Sequence, residues 1–184
     1  MDITVIALAL VLFIVVFAII QYNKLVRLNI QVDECFSQIE VQLKRRADLI
    51  PNLVETVKGY ATQEREVFER VVQARAASTT ASTLPAVAAA DGALTNALRG
   101  LLAVAEAYPD LKSSTNFLQL QEELATTENK VSFARQFYND TVRSLNTAVK
   151  TIPSSLFVGL AKVGEREFYE VDDPAVRNAP NVKF

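Results

Sequence analysis

The sequence contains no histidine and no tryptophan, one cysteine, Cys35, and one methionine, Met1. Without histidine, the commonest biological metal ligand and the commonest general acid or base are both missing. A lone cysteine cannot close an internal disulfide, so no covalent staple supports the fold. Only five glycines and six prolines punctuate 184 residues. Ala, Leu, Val, Glu, Gln, Lys and Arg fill the rest, and most of these are good helix formers, which argues against a β architecture. An excess of either charge is lacking too: 19 basic residues stand against 21 acidic ones, for a net charge of −2. Nucleic acid is therefore not an expected partner, because phosphate recognition needs a clustered basic surface.

What the sequence does have is one long apolar run. From Ile3 to Ile20 it reads ITVIALALVLFIVVFAII, with Thr4 as the sole polar residue. As a helix this spans roughly 27 Å at about 1.5 Å per residue, close to the ~30 Å hydrocarbon core of a bilayer. A cleaved signal peptide would carry a basic n-region and a small-x-small cleavage site, and neither is present. The run is apolar on every face for five turns, unlike a soluble core helix, so it predicts a retained transmembrane anchor. Lys24 and Arg27 follow the span and only Asp2 precedes it. The positive-inside rule then places the bundle in the cytoplasm, with the N-terminus outside the inner membrane. Ala7, Ala9 and Ala18 form no GxxxG, so a tight anchor-to-anchor dimer has little support.

Beyond the anchor, apolar residues recur in steps of three and four through Leu25, Leu28, Val32, Phe36, Ile39, Leu43, Ala47, Ile50, Val54, Val57 and Ala61. This is the stripe of an amphipathic helix. Pro51 lacks an amide hydrogen and crowds the carbonyl four residues earlier, so it predicts a kink or a division near Ile50. The stripe resumes at Val67, Phe68 and Val71 and fades after Ala77. Residues 78–92, STTASTLPAVAAADG, read as a low-complexity loop. A third helix is predicted from Ala93, stopping at Tyr108-Pro109-Asp110, with Ser113, Ser114 and Asn116 as candidate N-caps for the next. The fourth helix carries Phe117, Leu120, Leu124, Val131, Phe133, Phe137, Val142, Leu145 and Val149 up to Pro153. Leu156, Phe157, Val158 and Leu160 then cluster around Gly159, either capping the bundle or forming an exposed patch, ahead of a charged tail ending in Asp172-Asp173-Pro174. The expected divisions are a transmembrane anchor at 1–22, a helical bundle at 23–152 and a C-terminal tail at 153–184.

Three segments carry a family resemblance: Gln38 to Tyr60, QIEVQLKRRADLIPNLVETVKGY; Leu101 to Leu111, LLAVAEAYPDL; and Phe117 to Asp140, FLQLQEELATTENKVSFARQFYND. In this order, with Tyr22-Asn23 after the anchor and Ile152-Pro153-Ser154 before the tail, the chain resembles the LemA family of bacterial membrane proteins. The resemblance implies an all-α protein of the bacterial envelope, with an N-terminal transmembrane helix followed by an elongated antiparallel helical bundle. It implies no defined molecular activity.

No catalytic, cofactor-binding or metal-binding residue is expected, and the chain is not read as an enzyme. Carboxylate-bridged di-iron bundles require Glu-x-x-His pairs, which a chain without histidine cannot supply. Arg135, Tyr138, Asn139 and Asp140 form a polar group that lacks a nucleophile with a tuned base. Lys44-Arg45-Arg46-Ala47-Asp48 admits a headgroup-binding reading. Arg46, however, lies about 39 Å beyond Ile20 along a straight helix at ~1.5 Å per residue, far outside the ~8 Å reach of a screened membrane surface. The plainer expectation is pairing with Glu122, Glu123 or Glu128 on the fourth helix, which would fix helix register. Function is accordingly expected to be that of a membrane-anchored scaffold, self-associating into a coiled-coil-like homo-oligomer or binding other envelope proteins. The alternatives are direct membrane remodelling, or an anion sensor walled by Arg46 and Arg135. The stripe from Leu25 to Ile39, with no evident partner inside the chain close to the bilayer unless the fourth helix reaches that far, is the surface expected to drive self-association.

Overall fold

The computed structural model describes residues 3–61 and 63–170, and every regular element among them is helical. In chain order these are α1 (Ile3–Lys58), α2 (Arg65–Thr80), α3 (Leu84–Glu106), the single turn α4 (Pro109–Lys112), α5 (Thr115–Lys150), a 3-10 turn at Ser154–Phe157 and the single turn α6 (Val158–Ala161). The acidic segment Asp172-Asp173-Pro174 lies outside the described residues.

The expected division at Pro51 does not occur, since α1 runs through it. Proline removes the donor that would bond the carbonyl of Ala47, four residues earlier. Arg75 of α2 replaces it: its Nε donates to Ala47 O at 2.8 Å. The expected loop at 78–92 shrinks to Ala81–Thr83, with α3 starting nine residues before Ala93. Two causes account for the difference. Ser78, Thr79 and Thr80 donate their hydroxyls to carbonyls three or four residues back, and so remain helical. Pro85 sits at the start of α3, where no amide hydrogen is needed, and an alanine-rich run follows it.

Chain contacts separate two compact units, one of Met1–Gln38 with Ala134–Phe168 and one of Ile39–Phe133 with Tyr169–Phe184. In the first, the start of α1 pairs with the end of α5. Leu25, Val32 and Cys35 are buried together with Tyr138, Val142, Leu145 and Ala148. Gln21 meets Ser154 while Cys35 meets Thr141, so the two helices run antiparallel. The Leu25–Phe36 portion of the expected free stripe is therefore intramolecular core. Phe36 stacks at a tilt on Tyr138, ring centroids 6.0 Å apart, because α5 is long enough to reach it.

Past α6 the chain reverses at Lys162, whose left-handed backbone (φ 51°) caps that turn, and runs extended beside α5. Asn146 binds the backbone of Arg166 as a second peptide would, donating to its carbonyl and accepting from its amide, each at 2.9 Å. Tyr138 Oη donates to Glu167 O at 3.0 Å. Lys150 pairs with Glu165, and Arg166 with Asp33.

In the second unit, the remainder of α1, α2, α3 and the beginning of α5 enclose Ile50, Leu53, Val57, Phe68, Val71, Leu94, Leu98, Leu101, Leu111, Phe117 and Leu124. Ile39, the last residue of the expected stripe, is buried as well.

Burial along both long helices follows a seven-residue spacing. Leu25, Val32, Ile39, Arg46 and Leu53 are buried on α1; Phe117, Leu124, Val131, Tyr138 and Leu145 on α5. Thr127, Thr141 and Ala148, each three residues after one of these, are buried too. This is the apolar repeat of helices packed side by side. Phe133 and Phe137, expected in the stripe of the fourth helix, fall outside that repeat and are exposed.

Candidate functional site: a buried arginine cluster

Arg46 occupies a heptad position that its neighbours in the repeat fill with Val, Leu or Ile. Helix geometry separates the three adjacent bases: Lys44 and Arg45 face solvent, while Arg46 is only 3% exposed. A buried guanidinium is costly unless its charge is compensated and most of its donors are hydrogen-bonded. Its Nη1 lies 3.0 Å from Asp91 Oδ1 and donates to Thr95 Oγ1 at 3.0 Å. Its Nη2 lies 2.7 Å from Glu128 Oε2, an ion pair that lacks hydrogen-bond alignment. Nε has no partner.

Asp91 is more deeply buried still, at 1% exposure. Its second oxygen, Oδ2, accepts from Tyr169 Oη at 2.9 Å. Thr95, one turn along α3, passes its own proton to the backbone carbonyl of Asp91 at 3.0 Å. One cation thus faces two carboxylates, Asp91 buried and Glu128 partly exposed. A groove of about 270 Å³ opens beside it between α3 and α5, lined by Leu98, Leu102 and Leu124 as well as Arg99, Gln121 and Glu128.

Of the three acids expected to pair with Arg46, only Glu128 does so; Glu122 and Glu123 are exposed. Asp91, Thr95 and Tyr169 were not foreseen. Asp91 falls inside the stretch read as loop, and Tyr169 inside the tail. A signal for the pair on α3 was nonetheless present: an acid and a threonine four residues apart, on one face of an alanine-rich helix. Arg135, the other arginine expected to bind anions, is half-buried on α5.

In the first unit the buried polar groups among the described residues are uncharged. Cys35 Sγ lies 3.6 Å from Thr141 Oγ1, which donates to Phe137 O. Burial pushes the Tyr138 phenol above its usual value of 10.0, with the Arg166 guanidinium pulling the other way and Asp33 and Glu167 adding to the rise. Neither unit brings a nucleophile, a base and an orienting group together among the described residues.

An apolar, uncovered helix long enough to cross a bilayer, leading into antiparallel helices with a neutralised interior charge, defines an all-helical membrane protein with one candidate N-terminal span. The chain belongs to the LemA family, whose pattern it matches over residues 35–184. It is similar to Magnetosome protein MamQ 2 of Paramagnetospirillum magneticum, 23% identical over 178 residues that cover 83% of this chain and 65% of that one. The corresponding figures for Magnetosome protein MamQ of Magnetospirillum gryphiswaldense are 24%, 73% and 59%. For Protein LemA of Metamycoplasma hominis they are 24%, 85% and 75%. The chain spans less than two thirds of the length of these magnetosome relatives.

Proposed function

We propose that this chain is a membrane-tethered scaffold of the bacterial envelope that self-associates and carries out no catalysis. One observation supports the reading most: the most deeply buried charges are neutralised inside the fold, whereas Phe133 stands largely exposed on α5. With Phe137, also exposed one turn further along α5, it makes an apolar strip of the kind that favours association, and tethering to a membrane raises the effective concentration at which copies meet. The same reading places the chain in the inner membrane with residues 1–22 as a separable anchor, its N-terminus outside and the bundle in the cytoplasm, as Lys24 and Arg27 favour. Magnetosome relatives are consistent with a membrane-associated role.

Thiol crosslinking in native membranes tests this. In a Cys35→Ser background, Phe133→Cys is expected to give a crosslinked dimer of this chain, and Phe133→Glu to lower the assembly size in mild detergent while helical content is retained. A monomer throughout, with no crosslink at any reagent length, would rule the scaffold reading out. Labelling of an introduced cysteine at Asp2 from outside the cell, with no labelling at Glu165, is expected from the orientation.

A further inference from the structure

The turn that joins α5 to the extended segment places large aliphatic side chains in the open at the membrane end of the first unit. Ile152 is 80% exposed, Leu156 74% and Leu160 71%. Such exposure is expensive in water for three residues within nine positions. Their location is fixed by a half-buried contact, since Ser154 Oγ donates to Gln21 Oε1 at 2.9 Å. Gln21 is the first residue after Ile20, the end of the apolar span. Because α5 runs antiparallel to the start of α1, its C-terminus points toward the bilayer. The chain turns there between Ile152 and Lys162 and then retreats along α5 through Arg166 and Glu167. The turn is thus the tip of the unit, at the depth where the anchor leaves the hydrocarbon. Lys24 and Arg27, about one and two turns after Gln21 on α1, and Lys162 at the end of α6 are exposed, cations of the kind that favour anionic headgroups.

We propose that Ile152, Leu156 and Leu160 insert into the lipid interface, forming a second, shallow membrane contact beside the anchor. The occupant of this patch is lipid and no protein partner. Two contacts of different depth restrain both the tilt of α1 and its rotation about its own axis, as a single span does not. The inference rests on α1 being the membrane span, and the test separates the two.

Full-length chain carrying Cys35→Ser and one of Leu156→Cys, Leu160→Cys or Gln136→Cys is labelled with an environment-sensitive fluorophore and reconstituted in phosphatidylcholine–phosphatidylglycerol vesicles containing lipids spin-labelled at the headgroup or along the acyl chain. Gln136 is exposed on α5 in the same unit, about 21 Å from Lys150 at ~1.5 Å per residue. Probes at 156 and 160 are expected to shift to the blue and to be quenched several-fold more strongly than the probe at 136, most strongly by shallow spin labels. Flotation with the vesicles but water-like emission at 156 and 160 overturns the inference and leaves the span intact. Failure to float after alkaline extraction overturns the span itself. A blue shift without lipid quenching means that a protein surface covers the tip, and also overturns the inference.

Discussion

The two units bury different kinds of polar group. The unit holding Ile39–Phe133 buries an arginine and an aspartate, whereas in the unit holding Ala134–Phe168 the buried polar side chains among the described residues are the hydroxyls of Thr141 and Ser154. Thr141 is satisfied by the carbonyl of Phe137 one turn back and Ser154 by Gln21 of the facing helix; such neutral hydrogen bonds cost less to lose than a buried charge when one helix slips past another. For a buried guanidinium the cost is larger, because a register shift would strand its charge in a medium that cannot solvate it. Where three helices meet, many registers bury similar apolar area. A charge on α1 that must meet α3 and α5 at once selects one of them. Where two helices and an extended segment meet, selection falls instead to Asn146 gripping the backbone of Arg166.

The sharpest way to break this contrast is Asp91→Ala, which leaves Arg46 buried with only the partly exposed Glu128. It is expected to destabilise the chain by about 3–5 kcal/mol, read as a large fall in the denaturation midpoint followed by circular dichroism. Asn146→Ala, the equivalent insult in the other unit, removes neutral hydrogen bonds only and is expected to lower stability by about 1–2 kcal/mol. Equal losses for the two would dissolve the distinction. Arg75→Met is a smaller change, about 1 kcal/mol, because it orphans the Ala47 carbonyl. In a Pro51→Ala background the restored amide serves that carbonyl, and most of the Arg75→Met loss should vanish; additive effects would mean that Arg75 acts elsewhere.

The smallest effect concerns pH. The phenol of Tyr138 is raised above 10.0, so folding favours its protonated form. Its contribution is fully present below the unfolded value and is lost as pH rises through the higher folded value. Phenolate absorbance should show Tyr138 titrating late, and Tyr138→Phe should remove that titration together with its share of the alkaline instability.

Architecture was legible because the signals were periodic and long. The eighteen-residue apolar run and the three-and-four stripe required only helix geometry. Local exceptions hid the rest. Pro51 looked like a break, because the residue that replaces its missing donor, Arg75, is 24 positions away in sequence. The alanine-rich stretch after Pro85 looked like a loop, since Ser and Thr read as turn formers unless their back-bonds to the helix are known. Phe133 and Phe137 looked like core, because a three-and-four count does not distinguish the seven-residue repeat from positions beside it. Arg46 was visible as a base beside a stripe, but its burial depends on Asp91, Thr95 and Tyr169, which arrive from far along the chain.

The most direct test of a structural role for the arginine cluster is to replace its two fully buried charges together. Arg46→Met, Asp91→Leu and Tyr169→Phe, combined in one chain, remove the buried cation, its buried partner and the hydroxyl that would otherwise be left unpaired. Replacing a buried ion pair by packed apolar groups is often neutral or stabilising. The denaturation midpoint of the triple variant should therefore return to within about 1 kcal/mol of the parent chain, with the crosslinked dimer at position 133 undiminished. A triple variant as unstable as Asp91→Ala, or one that is stable but no longer crosslinks, would contradict the account and make the cluster part of what the protein does.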